Sequence, residues 1–268
     1  MSSSPVLVFD LETVPDTHGA RRLHDFDGLS DAEVADALFA LRRIRTGSDF
    51  LQHPLQRIVS IGVLYHGGGQ VKLSAFGRDT ENEAELLRQF FDVIEKRTPT
   101  LVSWNGGGFD LPVLHYRALL HGVAAPRYWE QGDDDRSFRY NNYLSRFHWR
   151  HIDLMDVLAG FQPRAMAGLD TIASLLGFPG KLGMDGSQVW PAWRDGQRAS
   201  IHDYVEHDVL NTYLVFLRFE RMRGALADAA LQQREAQLRD YLQQEGKPHL
   251  EAFLSAWNHA GLAAASPS

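Results

Sequence analysis

An apolar run, VLVF, leads directly into Asp10-Leu11-Glu12 near the start of this chain. On a β-strand, side chains two residues apart share a face. Both carboxylates would therefore stand side by side at the rim of a core, where two anions repel each other and lose hydration. A divalent cation between them would turn that cost into a gain. A second site holds Asp110, which follows a strand-like TLVSW segment and three glycines, in NGGGFDLP. At a third, Asp208 stands four residues after Tyr204, so the two lie on one helix face. Each signal alone also has a plain structural reading. Glu12 could be exposed at a strand end, Asp110 could favour a helix start through the macrodipole, and Asp208 could be solvated beside a half-buried tyrosine.

In order along the chain, FDLET (9–13), NGGGFDLPVL (105–114) and YVEHD (204–208) resemble the three exonuclease motifs of the DEDD superfamily. Tyr204 is similar to the tyrosine of the DEDDy branch, which includes the proofreading domain of family B DNA polymerases. The other branch has histidine five positions before the last aspartate, where this chain has Asp203. HIDLMDVL (151–158) and GLDTIASLLGFPGK (168–181) also resemble that domain, so the likeness covers about residues 6–217. It is closest to stand-alone predicted 3′–5′ exonucleases related to the polymerase domain.

The resemblance implies an α/β, ribonuclease H-like fold, a mixed five-stranded sheet with helices on both faces. It implies two divalent ions held by Asp10, Glu12, Asp110 and Asp208. In the family's scheme Asp10 bridges both ions, Glu12 and Asp208 help hold the one that binds the attacking water, and Asp110 supports the other. Tyr204 would orient the water, because an ordinary tyrosine pKa of about 10 makes it a poor base at neutral pH. Asn105, Gly106 and Phe109, with Leu11 and Thr13, are the residues it implies for binding the terminal nucleotide. Hard oxygen ligands in a chain without cysteine suit Mg²⁺ or Mn²⁺.

The elements that must position these residues are partly readable. Residues 6–10 predict a buried strand, followed by a helical insertion over about 16–56 that includes SDAEVADALFALRRIR, with Ser30 and Glu33 as a capping box. RIVSIGVLYH and QVKLSAFG predict two strands around a His66–Gly69 hairpin. Thr80 and Glu83 read as a second capping box, before a helix with Leu86, Leu87, Phe90, Phe91 and Ile94 on its core side. Pro112 suits the first turn of the helix after Asp110. Residues 123–150 read as irregular and 180–199, rich in Gly, Trp and Pro, as a loop. Ser200 and Asp203 mark a strong helix with Leu210, Tyr213, Leu214 and Leu217 on one face. A last helical region covers about 224–245 within an extension over about 220–260, and the tail GLAAASPS reads as frayed. With no repeat and no clear linker, residues 1–268 are expected to form a single domain.

The 268 residues carry a net charge of -7 and no cysteine, which excludes disulfides and thiolate sites. That charge argues against tight nonspecific binding to long duplexes, while an enzyme gripping a few nucleotides stays compatible. No apolar run approaches a membrane span and the N-terminus lacks a signal-peptide pattern, so a cytoplasmic protein is the expectation. Weaker signals are the arginine–aromatic stretch RSFRYNNYLSRFHWR (136–150), either a nucleic-acid platform or a loop on the core, and Asp153, a supporting or capping residue near Asp156. Arg42, Arg43 and Arg45 read as a solvated helix face.

The expected function is metal-dependent 3′–5′ exonuclease action, on single-stranded DNA ends, releasing nucleoside 5′-monophosphates. An exoribonuclease on the same fold and a catalytically silent nucleic-acid-binding module are the alternatives. A two-carboxylate glycosidase would leave the Tyr204–Asp208 motif unexplained.

Overall fold

Alternation along β1, Val6–Pro15, divides the molecule into layers. Val6 and Val8 enter one apolar cluster, and Leu7, Phe9 and Leu11 enter another on the opposite face. In this computed structural model, which describes residues 5–264, the chain continues through α1 (Thr17–Leu23), α2 (Asp31–Thr46), β2 (Gln56–Gly67), β3 (Gln70–Phe76) and α3 (Glu83–Arg97). Then come β4 (Thr100–Ser103), α4 (Asp110–His121), α5 (Pro126–Trp129), β5 (His151–Asp153), α6 (Leu154–Leu158) and α7 (Leu169–Leu175). The last elements are α8 (Val189–Arg194), α9 (Arg198–Met222), α10 (Asp228–Glu245) and α11 (Pro248–Ala264).

The strands form one sheet of order β3-β2-β1-β4-β5. β1, β2 and β3 form an antiparallel meander, and β4 and β5 add in parallel. This is the ribonuclease H-like mixed α/β sheet expected from the sequence, with helices on both faces. α9, α10 and α11 cover the Val6–Val8 face, and α3 and α4 cover the Leu7–Phe9 face. The hairpin between β2 and β3 turns on Gly68 (φ 61°) and Gly69 (φ 76°), a pair of positive angles that matches the twist of the strands it joins.

Several local expectations change. β1 does not end at Asp10 but pairs with β2 as far as Pro15, with a bulge between Glu12 and Thr13. Asn82, not Thr80, caps α3, accepting from the Glu85 N–H. Glu83 is drawn away by a buried guanidinium: Arg117 Nε meets Glu83 Oε1 at 2.7 Å, and Arg117 Nη1 meets Asp16 Oδ2 at 2.5 Å. The stretch 180–199 contains α8, because Val189 and Ala192 are buried against Val14, Val59 and Ile201. Pro191 sits in the first turn of α8, where its missing N–H costs no helical bond. α9 starts at Arg198, ahead of Ser200. The region after residue 224 forms two helices, and α11 continues into the tail as far as Ala264, while residues 265–268 lie outside those described. The Ser30–Glu33 capping box of α2 is present. The inserted α1–α2 segment builds its own small core from Ala20, Val34, Leu38 and Leu51.

Candidate active site

β1 outruns β4. Their pairing covers only Val6 to Val8, so the β4 side of β1 lies open from Phe9 onward. The Leu11 N–H, on that open side, favours the anions of both Asp10 and Asp110, the latter at the start of α4, so the second motif stands beside the first. On the other side of β1, Asp10 lies opposite Gly62 of β2. A Cβ at Gly62 would sit 2.9 Å from the side chains of Val205 and Val209, so the bare backbone there lets α9 come down onto the sheet. Val205 follows Tyr204 and Val209 follows Asp208, and the close approach delivers the third motif. One carboxylate oxygen each from Asp10, Glu12 and Asp208 lie within 4.8 Å of one another. Asp110 completes the set from the α4 side, outside that tight triplet but close enough to raise the pKa of both Asp10 and Glu12.

Burial and mutual repulsion dominate the electrostatics. Asp10 is pushed well above the usual carboxylate range by burial, then by the charges of Asp110, Asp208 and Glu12. Glu12 rises for the same reasons, with Lys181 opposing. Burial pushes Asp110 up to about 7 and Asp208 to about 6, although the Tyr204 hydroxyl and Lys181 favour the Asp208 anion. Tyr204 is itself raised, first by burial and then by Asp208, Glu12 and Asp10, which makes its phenol a donor and not a base. Asp110 Oδ1 is buried without a hydrogen-bond partner in the described structure. Such a gathering of anions is costly unless a cation neutralises it. The orphaned oxygen and the all-oxygen donor set fit a hard divalent ion. The bulge directly after Glu12 is the kind of distortion that often flanks active sites.

The glycine loop before Asp110 is held from below. Asp153 accepts the N–H groups of Asn105 and Gly107, each at 2.9 Å, and caps α6 by accepting from the Asp156 N–H. It therefore does both tasks expected of it and is not a member of the acidic triplet. Asn105 has φ +65°, a left-handed conformation that bends the chain into the loop. At Gly106 an added Cβ would sit 2.2 Å from Ser103 Oγ, so the loop packs flat on β4. Phe109 is half-buried and its ring contacts Phe50 and His53. Leu11 offers the site its N–H only, since its side chain lies in the α3–α4 core. The Thr13 hydroxyl, beyond the bulge, is bound to Gln56.

Lys181 was not among the residues expected at the site. Its charge acts on Glu12 and Asp208. Its loop is pinned by Asn211 of α9, which exchanges hydrogen bonds with the Gly180 backbone. The only signal in the sequence was the GLDTIASLLGFPGK stretch, which ends on this lysine. The 136–150 segment packs in part on the core. Phe138 and Tyr143 are core residues, and Arg150 stacks over the Phe138 ring, while Tyr140, Phe147 and Trp149 face outward. Arg146 pairs with Asp156. Arg43 pairs with Asp49 at the surface, in line with a solvated face. No described helix is long and apolar enough to cross a membrane.

A family model described as predicted 3′–5′ exonucleases related to the exonuclease domain of PolB matches residues 48–257. Asp110, Tyr204 and Asp208 fall inside the match, and Asp10 and Glu12 precede it. Over 139 residues, 51% of this chain, the sequence is 22% identical to a DNA polymerase of Archaeoglobus fulgidus, of which that is 17%. It is 24% identical over 52% of this chain to the catalytic subunit of DNA polymerase epsilon from Schizosaccharomyces pombe, and 26% identical over 52% to that from Saccharomyces cerevisiae. In both yeast proteins the matched part is 6% of the relative's length. With more than half of its length under the family match, the chain belongs to the family of predicted 3′–5′ exonucleases related to the PolB exonuclease domain.

Proposed function

We propose that the protein is a metal-dependent 3′–5′ exonuclease that removes nucleoside 5′-monophosphates from single-stranded DNA ends. The observation that carries this reading is the convergence of Asp10, Glu12 and Asp208 within 4.8 Å, with Asp110 beside them. In this reading Asp10, Glu12, Asp110 and Asp208 hold two Mg²⁺ or Mn²⁺ ions. Bound ions of this kind lower the pKa of water and neutralise charge on a leaving oxygen. Asp10 would contact both ions, Glu12 and Asp208 would hold the one beside the attacking water, and Asp110 would support the other. The Tyr204 hydroxyl, beside Asp208, orients the water. Asn105, Gly106 and Phe109, with the Leu11 backbone and Thr13, receive the terminal nucleotide. Residues 6–217 form the core of a single exonuclease domain, and 220–260 extend it.

The test uses 5′-labelled and 3′-labelled DNA and RNA oligomers of one sequence, with Mg²⁺, with Mn²⁺ and with EDTA. A ladder shortening from the 3′ end of 5′-labelled DNA, immediate release of the 3′ label as a mononucleotide and no reaction in EDTA support the reading. Equal or faster digestion of RNA would make it an exoribonuclease. Full activity in EDTA, or internal cuts, would defeat it.

A further inference from the structure

The insertion between β1 and β2 leaves one aromatic side chain outside its own core. Leu51 and Leu55 join the α1–α2 cluster, but Phe50 stays 53% exposed. Its ring is held from the site side: the Phe109 ring lies 5.5 Å away, centroid to centroid, and His53 contacts both rings. His53 Nε2 in turn lies 3.1 Å from the Gly108 carbonyl of the catalytic loop. Phe50, His53 and Tyr116, itself 49% exposed on α4, line a cavity of about 330 Å³. Arg42 lines it too, and Arg42 Nε holds the Phe50 carbonyl at 2.9 Å. An open aromatic wall with a guanidinium at its edge is continuous, through Phe109, with Asp110.

We infer that Phe50, His53 and Tyr116 form a stacking subsite for one unpaired base that precedes the 3′-terminal nucleotide, with Arg42 meeting a phosphate of that strand. This rests on the exonuclease reading and specifies how the strand is held. Exposed rings bind any base by its face, so the subsite is tolerant of sequence. It needs bases that are unstacked from a partner strand, which selects single strands. A volume near the low end of ligand sites accommodates one base and not a duplex end. The insertion therefore supplies the grip on the strand, while β1, α4 and α9 supply the carboxylates.

The test is fluorescence anisotropy with 5′-fluorescein dT2, dT8 and an eight-base-pair duplex, with Ca²⁺ replacing Mg²⁺ to slow cleavage. Wild-type protein should bind dT8 more tightly than dT2. Phe50→Ala should weaken dT8 binding by roughly 5- to 100-fold, the range expected for one lost base–ring stack, and erase most of the advantage of dT8 over dT2. Phe50→Trp should restore it, and Tyr116→Ala should move in the same direction as Phe50→Ala. In steady-state digestion the loss should fall mainly on KM. Unchanged dT8 binding by folded Phe50→Ala and Tyr116→Ala would overturn the subsite. So would equal losses on dT2 and dT8, which would mean that the ring acts through Phe109. Length-dependent, Phe50-dependent binding without hydrolysis would sustain the subsite while removing the exonuclease activity. Hydrolysis with no length dependence would do the reverse.

Discussion

Gly62 lies opposite Asp10 in the β1–β2 ladder, and a Cβ there would meet the Val205 and Val209 side chains at 2.9 Å. Those valines neighbour Tyr204 and Asp208, so one missing methyl on β2 sets the depth at which α9 rests. Gly62→Ala should destabilise by about 1–3 kcal/mol through overpacking, and should slow hydrolysis more than a remote core change of equal cost. An ångström-scale shift of reacting groups can lose about 10² in rate. Urea melts and initial rates measure both effects. A variant with wild-type stability and wild-type rate would show that α9 has room to spare.

Tyr204→Phe should retain measurable activity. The ring packs with Val14, Val59 and Ile201, so packing survives and only the hydroxyl beside Asp208 is lost. A single orienting interaction should cost about 10–10³ in kcat. If the variant is as inactive as one lacking Asp10, the phenol has a larger part than orientation.

Arg117 is buried between Asp16, which caps α1, and Glu83, which also accepts the Ile58 N–H. Arg117→Met should cost about 3–5 kcal/mol, because two buried carboxylates lose their cation. Replacing all three charges at once should recover much of that loss. Chemical denaturation of the single and triple variants decides. A single variant within 1 kcal/mol or so of wild type would show that water reaches this cluster.

The motif acids and the main strands were legible because their signals are local: apolar runs, glycine turns and i to i+4 spacing. Val6–Phe9 announced β1, and Leu210, Tyr213, Leu214 and Leu217 announced α9, which are all buried. What escaped depends on partners far away in sequence. Glu83 fits the Thr80 box locally, but its true partner is 34 residues away. The composition of 189–194 disfavours helix, yet burial against β1 and β2 makes α8. Lys181 acts on Glu12 and Asp208 from a loop that Asn211 and Asp170 hold in place. The Phe50 platform depends on a tertiary contact with Phe109, and nothing in the insertion alone points to it.

Asp110→Asn should change the pH dependence of stability in the metal-free protein. Burial places Asp110 at about 7 in the fold, against 3.8 for an exposed aspartate. Between those values the native state keeps a proton that the unfolded chain has lost, so stability falls as pH rises through the window. Asparagine removes that fall. In EDTA, the Tm of the variant minus that of wild type should grow between about pH 4 and pH 8, by on the order of 5 °C. His66, His115 and His151, pushed down to about 4 by burial, act in the opposite direction but equally in both proteins, and so cancel. With Mn²⁺ present the wild type should regain the advantage at high pH, since metal affinity grows as the ligands release protons. A difference that stays flat with pH would mean that Asp110 is ionised at low pH in the fold.

In the exonuclease reading, Asp10 holds catalytic metal at the meeting point of the three motifs. Asp10→Ala and wild type are compared on one 5′-labelled single strand in Mg²⁺, with folding checked by circular dichroism and Mn²⁺ binding measured by calorimetry. A metal-holding Asp10 predicts a folded variant whose rate falls by roughly 10²–10³ or more and whose Mn²⁺ binding is weakened or lost. A folded Asp10→Ala protein that digests the strand near the wild-type rate and binds Mn²⁺ unchanged would contradict it.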